Sequence, residues 1–192
     1  MAREVWEKND YGDLPQSGVI VDIGANIGAF VLQAAHTTNA RIFALEPVQS
    51  THTILKQNIA LNNFTSRIHP HCLALASKNE TRQIILSKRN MGGHSFFIQG
   101  EKTIPVKCQT LGTFLAENQI DHVDYLKSDC EGGEYEIFLT APLSVFEKIS
   151  TIVVELHNIK DRKFDDIVQH LQKMGFTTNW TRTPRLLRAQ RK

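Results

Sequence analysis

Four carboxylates stand at or beside the ends of apolar runs. They are Asp22 in Val19-Ile20-Val21-Asp22-Ile23, Glu46 after Arg41-Ile42-Phe43-Ala44-Leu45, Asp129 after Asp124-Tyr125-Leu126-Lys127-Ser128, and Glu155 in Thr151-Ile152-Val153-Val154-Glu155. An acid ending a buried strand needs a polar partner, so each marks a place to look for a bound group. A carboxylate at Asp22 would repel phosphate and attract an ammonium or sulfonium cation. Glu46 follows Gly24 at about the 20-residue offset where an acid accepts hydrogen bonds from ribose hydroxyls. Asp129 and His157 are candidate bases for an alcohol that must lose its proton as a new bond forms. For His157, a lone histidine at a strand end, an ordinary packing role competes with that reading.

The turn after Asp22, Gly24-Ala25-Asn26-Ile27-Gly28, narrows the ligand. A dinucleotide loop would carry glycine at 24, 26 and 29, and the chain has Gly24, Asn26 and Ala29. The Gly-Lys-Ser/Thr ending of a triphosphate-binding loop is absent. A divalent ion held by Asp129 with Glu155, His157 or Asn158 would also lower an acceptor's pKa. That arrangement is not favoured, because no H-x-x-x-H pair or cysteine cluster accompanies it, and no residue is assigned as a metal ligand.

The elements that must position these groups alternate. A strand at Val19 to Ile23 leads into a helix over Ala29 to Ala35, a strand at Arg41 to Leu45 into a helix over Gln49 to Asn62, and a third strand follows at Ile68 to Leu75. Thr81 to Ser87, Ser95 to Ile98 and Thr103 to Cys108 read as short antiparallel strands inserted next. A helix over Leu111 to Gln119, a strand ending in Ser128-Asp129, a helix from Tyr135 to Leu139, a strand over Thr151 to His157, a helix over Asp165 to Met174 and a last strand at Phe176 to Trp180 complete the order. This predicts an α/β fold, a mostly parallel sheet with helices on both faces and a small β insertion between strands three and four. In such a sheet the four acids share one rim. Ser128-Asp129-Cys130-Glu131 also satisfies the S-x-x-E signature of a helix start, so capping competes with chemistry there. His94, with Asn90 and Gly92-Gly93, suits either a plain hairpin connection or a flap over an acceptor, and one of Phe96 and Phe97 would line a cleft.

The 192 residues, 41% hydrophobic and 22% charged, suffice for one sizeable core. The expected division is a lead-in over 1–18, the main domain over 19–180 and a basic C-terminal tail over 181–192, read as a solvated, frayed end with a phosphate or RNA contact as the alternative. Either the sheet edge is incomplete or Arg185-Leu186-Leu187-Arg188 forms a cramped last strand, and the short C-terminal edge offers a place for an oligomer contact. A net charge of +2 gives no global reason to expect nucleic acid. Cys72, Cys108 and Cys130 lack metal-ligand spacing and read as reduced thiols of a cytoplasmic protein, and no apolar run predicts membrane insertion.

The motifs D-I-G-A-N-I-G, Glu46-Pro47, L-K-S-D-C-E-G-G-E and E-L-H, in that order over Val19 to Phe176, resemble the FkbM family of S-adenosylmethionine-dependent methyltransferases. The resemblance implies the class I methyltransferase fold and methyl transfer to hydroxyls of sugars and natural products. It places Asp22, Gly24, Ala25, Asn26 and Gly28 around the methionine moiety of S-adenosylmethionine, and Glu46 on the ribose. Leu75, Ala76 or Ser77 would lie near adenine, and Asp129 near the sulfonium and methyl group. Glu131 and Glu134 complete the motif, either touching substrate or bracing the loop; Glu131 joins Asp129 and His157 as a catalytic candidate. Cys130 and Gly133 depart from it, standing where the family more often has an aliphatic residue and alanine.

The acceptor implied is a hydroxyl of a sugar, glycolipid precursor or secondary metabolite. The alternatives are an RNA or protein methyltransferase, favoured by the basic tail, and a non-catalytic S-adenosylmethionine-binding module, favoured by the short C-terminus.

Overall fold

The computed structural model describes residues 11–86, 103–181 and 185–191. The expected strand at Ser95 to Ile98, the His94 segment, Phe96 and Phe97 lie outside the described residues. Seven strands form one sheet. In chain order they are β1 (Val19–Ile23), β2 (Arg41–Leu45), β3 (Ile68–His71), β7 (Val123–Ser128), β8 (Ile149–Glu155), β9 (Phe176–Trp180) and β10 (Leu186–Arg191). Their spatial order is β3-β2-β1-β7-β8-β10-β9. β10 runs antiparallel to β8 and β9, and the other described pairings are parallel. Consequently Ile23, Leu45, His71, Ser128 and Glu155 end their strands on one rim.

Both faces of this sheet are covered, which explains why its central strands read as nearly continuous apolar runs. Because side chains alternate across a strand, Ile20, Ile42, Ala44, Tyr125 and Val153 face one side. There they meet Phe30, Val31 and Ala34 of α1 (Ala29–Thr37) and Leu55 and Ile59 of α2 (Gln49–Leu61). Val21, Ile23, Phe43, Leu126, Ile152 and Val154 face the other. That face receives α3 (Leu111–Glu117), α4 (Glu134–Thr140), α5 (Leu143–Phe146) and α6 (Phe164–Lys173) through Phe114, Phe138, Phe146 and Leu171. The order and two-sided covering match the expected α/β architecture.

Three expectations are corrected. The single strand over Ile68 to Leu75 is two: β3 carries Pro70 on the outer edge of the large sheet, where a missing N–H is tolerated, and β4 (Ala74–Leu75) joins a separate sheet. That small sheet has the order β4-β6-β5, with β5 (Glu80–Ile85) antiparallel to β6 (Thr103–Gln109). Second, the tail over 181–192 is not frayed along its described part. Leu186–Arg191 is inserted between β8 and β9, with Leu187 and Ala189 wholly buried. Alternation of Leu187 and Ala189 with Arg188 and Gln190 is a strand pattern that positive charge disguised. Third, the S-x-x-E capping box does not form: α4 begins only at Glu134, its N-cap Gly133 makes no side-chain bond, and Glu131 is left-handed at φ 52°.

Candidate active site

The loop after β1 and the loop after β7 are packed into one body. Asp129 N–H donates to the Ile23 carbonyl at 2.9 Å, continuing the β1–β7 pairing past the strand ends. Gly24 sits at φ 81°, and a Cβ there would meet the Asp129 carbonyl oxygen at 1.9 Å. Glycine is therefore required at 24 by protein backbone, ahead of any ligand. Gly24 and Ala25 both donate N–H groups to the Leu45 carbonyl, at 3.0 and 2.9 Å, which tethers the loop to β2 as well.

Glu46 completes that side. Its Oε2 accepts the Asn26 N–H at 3.0 Å and its Oε1 accepts the Val48 N–H at 2.9 Å. The residue is 7% exposed, and burial pushes its carboxyl up to about 7, although the two N–H groups favour the charged form. Asn26 adopts φ 51°, a conformation asparagine tolerates better than most side chains. Its Oδ1 accepts the Ile27 N–H at 2.7 Å.

Asp22 is not on the surface of the rim. It has no exposed area, and its Oδ1 lies 2.9 Å from Nζ of Lys127, its register partner on β7. The cation that an acid at 22 was expected to attract from a ligand is supplied by the chain itself. Burial raises the Asp22 carboxyl and Lys127 opposes that rise; Lys127, though buried, is pushed up, because Asp22, Tyr11 and Asp129 outweigh its desolvation. Lys127 had no place among the expected site residues. The available signal was a lysine within the apolar run Tyr125-Leu126-Lys127, a position where an unpaired ammonium is costly.

On the other side of Asp129, His157 is held by three acids. Nδ1 is 3.1 Å from Glu134 Oε1, while Nε2 is 3.7 Å from Asp129 Oδ1 and 3.6 Å from Glu131 Oε2. Burial alone would lower its pKa, but the Glu134 bond and the charges of Glu134, Asp129 and Glu131 raise it to about 9. An imidazolium has no lone pair to accept a proton. With its pKa raised to about 9, His157, expected as a candidate base, carries charge at neutral pH, donates through Nδ1 to Glu134 and faces Asp129 and Glu131 as an ion-pair neighbour.

Glu134 settles its own alternative. It is wholly buried; Oε1 also accepts the His157 backbone N–H at 2.7 Å and Oε2 the Gly132 N–H at 2.8 Å, so it braces the loop. Glu131 keeps 31% of its side chain exposed beside His157, and its carboxyl is raised by burial and by Asp129 and Glu134, against His157. Burial, then Asp129, likewise raises Glu155. The two departures Cys130 and Gly133 touch: a Cβ at 133 would lie 3.3 Å from the Cys130 Sγ.

The residues expected near adenine have these protein contacts. Leu75 packs in the main core and Ala76 in the small-sheet core. Ser77 donates both its N–H and its hydroxyl to Glu136 Oε1, at 3.1 and 2.5 Å, and Arg82 holds the other oxygen of Glu136 at 2.7 Å. Among the described residues no group of three or more His, Cys, Asp or Glu side chains is arranged to hold a metal ion. No helix among them is long and apolar enough to cross a membrane.

The architecture and the rim agree with comparisons to known proteins. Residues 22–178 match the model of the methyltransferase FkbM domain. Methyltransferase sdnD of Sordaria araneosa is 27% identical over 179 residues, covering 76% of this chain and 69% of that protein. Precorrin-6y C5,15-methyltransferase of Geobacter metallireducens superposes with a TM-score of 0.57 at 14% identity, over 93% of this chain and 82% of that one. M. capricolum TrmK, solved with S-adenosyl-homocysteine, gives 0.56 at 13% identity over 93% and 64%. At such identities the structural likeness concerns the fold, and it is the class I methyltransferase fold. With the domain match running over most of its length, this chain belongs to the FkbM family of methyltransferases.

Proposed function

We propose that the chain transfers a methyl group from S-adenosylmethionine to a hydroxyl of a small molecule or glycan, with Asp129 as the proton acceptor. The observation that carries this reading is the position of Asp129. It is fixed by backbone to the glycine loop, it keeps 17% of its side chain exposed, and the alternative base beside it is already protonated.

The rim fits the cofactor. Each oxygen of Glu46 accepts one backbone N–H and keeps a lone pair, which suits the two neighbouring hydroxyls of a ribose. The loop from Gly24 to Gly28, joined by backbone to Asp129, would hold the methionine end; Asp22 supports it from beneath through Lys127. When bound, S-adenosylmethionine supplies an electrophilic methyl group on a good neutral leaving group. The chain then needs to orient the acceptor and take one proton, and orientation supplies much of the acceleration for such a displacement. Asp129 takes that proton, while His157 orients it and Glu131 stands at the mouth.

RNA as the acceptor fits this rim less well. Glu131, Glu155 and Asp129 would meet its phosphates, and two of the C-terminal arginines that favoured it are engaged: Arg188 with the Tyr11 carbonyl at 2.7 Å and Arg191 with that of Met174 at 2.8 Å. The non-catalytic module rested on a missing last strand, which β10 supplies. The test is formation of S-adenosylhomocysteine from S-adenosylmethionine with a panel of glycan and small hydroxyl acceptors. Turnover that Asp129→Asn abolishes while affinity for S-adenosylmethionine persists is the expected result. Binding without turnover across the panel, or turnover only with RNA, would overturn the reading.

A further inference from the structure

Lys127 has contacts beyond those a counterion of Asp22 needs. Its side chain is 4% exposed, with the ammonium 2.9 Å from Asp22 Oδ1 and 3.4 Å from the Gly24 carbonyl on the loop side, and 4.0 Å from Asp129 Oδ2 on the other. The rings of Tyr11 and Phe30 stand over it at 5.3 and 5.7 Å, edge to face with each other. Tyr11 is pinned in turn, its carbonyl accepting from Tyr125 Oη at 2.5 Å and Arg188 Nη1 at 2.7 Å. Asp129 therefore lies between two cations, Oδ2 toward Lys127 and Oδ1 toward His157 Nε2 at 3.7 Å. A carboxylate flanked by a cation on each side is biased in its orientation by their charges, and a cation shared by two acids makes their positions interdependent.

We propose that Lys127 is a positioning residue for methyl transfer: its ammonium ties Asp22 and Gly24 beneath the cofactor loop to Asp129, and so sets the orientation in which Asp129 meets the acceptor hydroxyl. Tyr11 and Phe30 keep the ammonium in that bridge. This extends the site to Tyr11, which precedes the residues 22–178 matched by the family. The inference rests on the reading of Asp129 as the proton acceptor.

Lys127→Met alone would strand a buried carboxylate, so the comparison is between Asp22→Asn and Asp22→Asn/Lys127→Met, each checked by thermal unfolding. The double variant is expected to bind S-adenosylmethionine within about twofold of Asp22→Asn and to turn over at least about tenfold more slowly with the acceptor the panel identifies. Heteronuclear NMR of the His157 imidazole gives a readout that needs no acceptor. Loss of Lys127 frees Asp129 to pair more closely with His157 and moves its titration to higher pH. That movement must vanish when Asp129→Asn is added, because a direct effect of the ammonium on the imidazole would survive it. Tyr11→Leu, which alters no charge, should lower turnover in the same direction and have no further effect on Asp22→Asn/Lys127→Met.

Unchanged turnover together with a His157 titration indifferent to Lys127 would reduce this lysine to a counterion and overturn the proposal. Should the wild-type chain fail to bind S-adenosylmethionine, the functional reading fails by itself, while the His157 titration still decides whether Lys127 and Asp129 are linked.

Discussion

The two halves of the rim are built by different means. On the side proposed for the cofactor, a carboxylate is satisfied by main chain: Glu46 takes the N–H groups of Asn26 and Val48, neighbours of the adjoining loop and of its own. On the side proposed for the acceptor, charged side chains answer one another: Asp129, Glu131 and Glu134 converge on one imidazole, and Lys127 lies 4.0 Å from Asp129 on the opposite flank. Backbone donors hold a site rigidly and tolerate little change. A network of charges can reorient, and it couples each member's ionisation to the others. On the proposed function, a fixed cradle would serve a constant cofactor and a titratable cluster a variable acceptor.

Gly24→Ala should break the comparison most severely, because Gly24 is where the halves touch. The added Cβ falls 1.9 Å from the Asp129 carbonyl and the residue is left-handed at φ 81°. A cost of about 3 kcal/mol or more is expected from strain and overpacking, seen as a drop of roughly 6–12 °C in unfolding midpoint, with loss of both binding and turnover. Retention of either function would mean that the halves are not one body.

Glu134→Gln tests the charged half, at a cost of about 1–3 kcal/mol for a buried polar group left imperfectly paired. His157 has its pKa raised from 6.5 to about 9, so its contribution to stability is complete below 6.5 and is lost as pH rises through about 9. Unfolding midpoints of the wild type should fall across that window, and the variant should flatten the fall. An identical profile in the variant would remove Glu134 as the principal holder of the imidazolium.

Glu46→Gln probes the backbone-built half, with about tenfold weaker binding of S-adenosylmethionine expected from roughly 1–2 kcal/mol of lost hydrogen bonding. The Glu46 carboxyl is raised from 4.5 to about 7, so its protonated form stabilises the fold below 4.5 and that contribution disappears as pH climbs to about 7. Binding shows the reverse demand, since ribose hydroxyls need the ionised acceptor. Calorimetry should find wild-type affinity weakening below about pH 7 and the variant indifferent to pH. The two halves would then titrate in successive windows.

The smallest effect belongs to Ser77→Ala. Both donors of Ser77 serve Glu136, so roughly 1 kcal/mol of stability should be lost with no change in cofactor affinity. A clear loss of affinity would return Ser77 to the adenine side of the site.

Apolar runs buried on both faces, alternating with helices, made the parallel sheet legible, because period and length carry that information locally. The acids ending those runs marked the rim, and Asp129 and Glu46 stand where a local reading placed them. The turn after Asp22 was legible as a glycine-bearing loop at a strand end, although not the reason for Gly24, which is a contact with the backbone of Asp129 more than 100 residues away. Only the tertiary structure decided how charge is distributed. Asp22 and Lys127 face one another because β1 and β7, distant in sequence, are neighbours in register, and that pairing turned an expected ligand contact into an internal ion pair. His157 became a cation because three carboxylates from the loop after β7 and the start of α4 surround it, and Leu186–Arg191 became a core strand because β8 and β9 leave a slot between them. Periodicity is written along the chain, whereas the pKa of a side chain and the partner of a buried charge are properties of neighbours that only folding brings together.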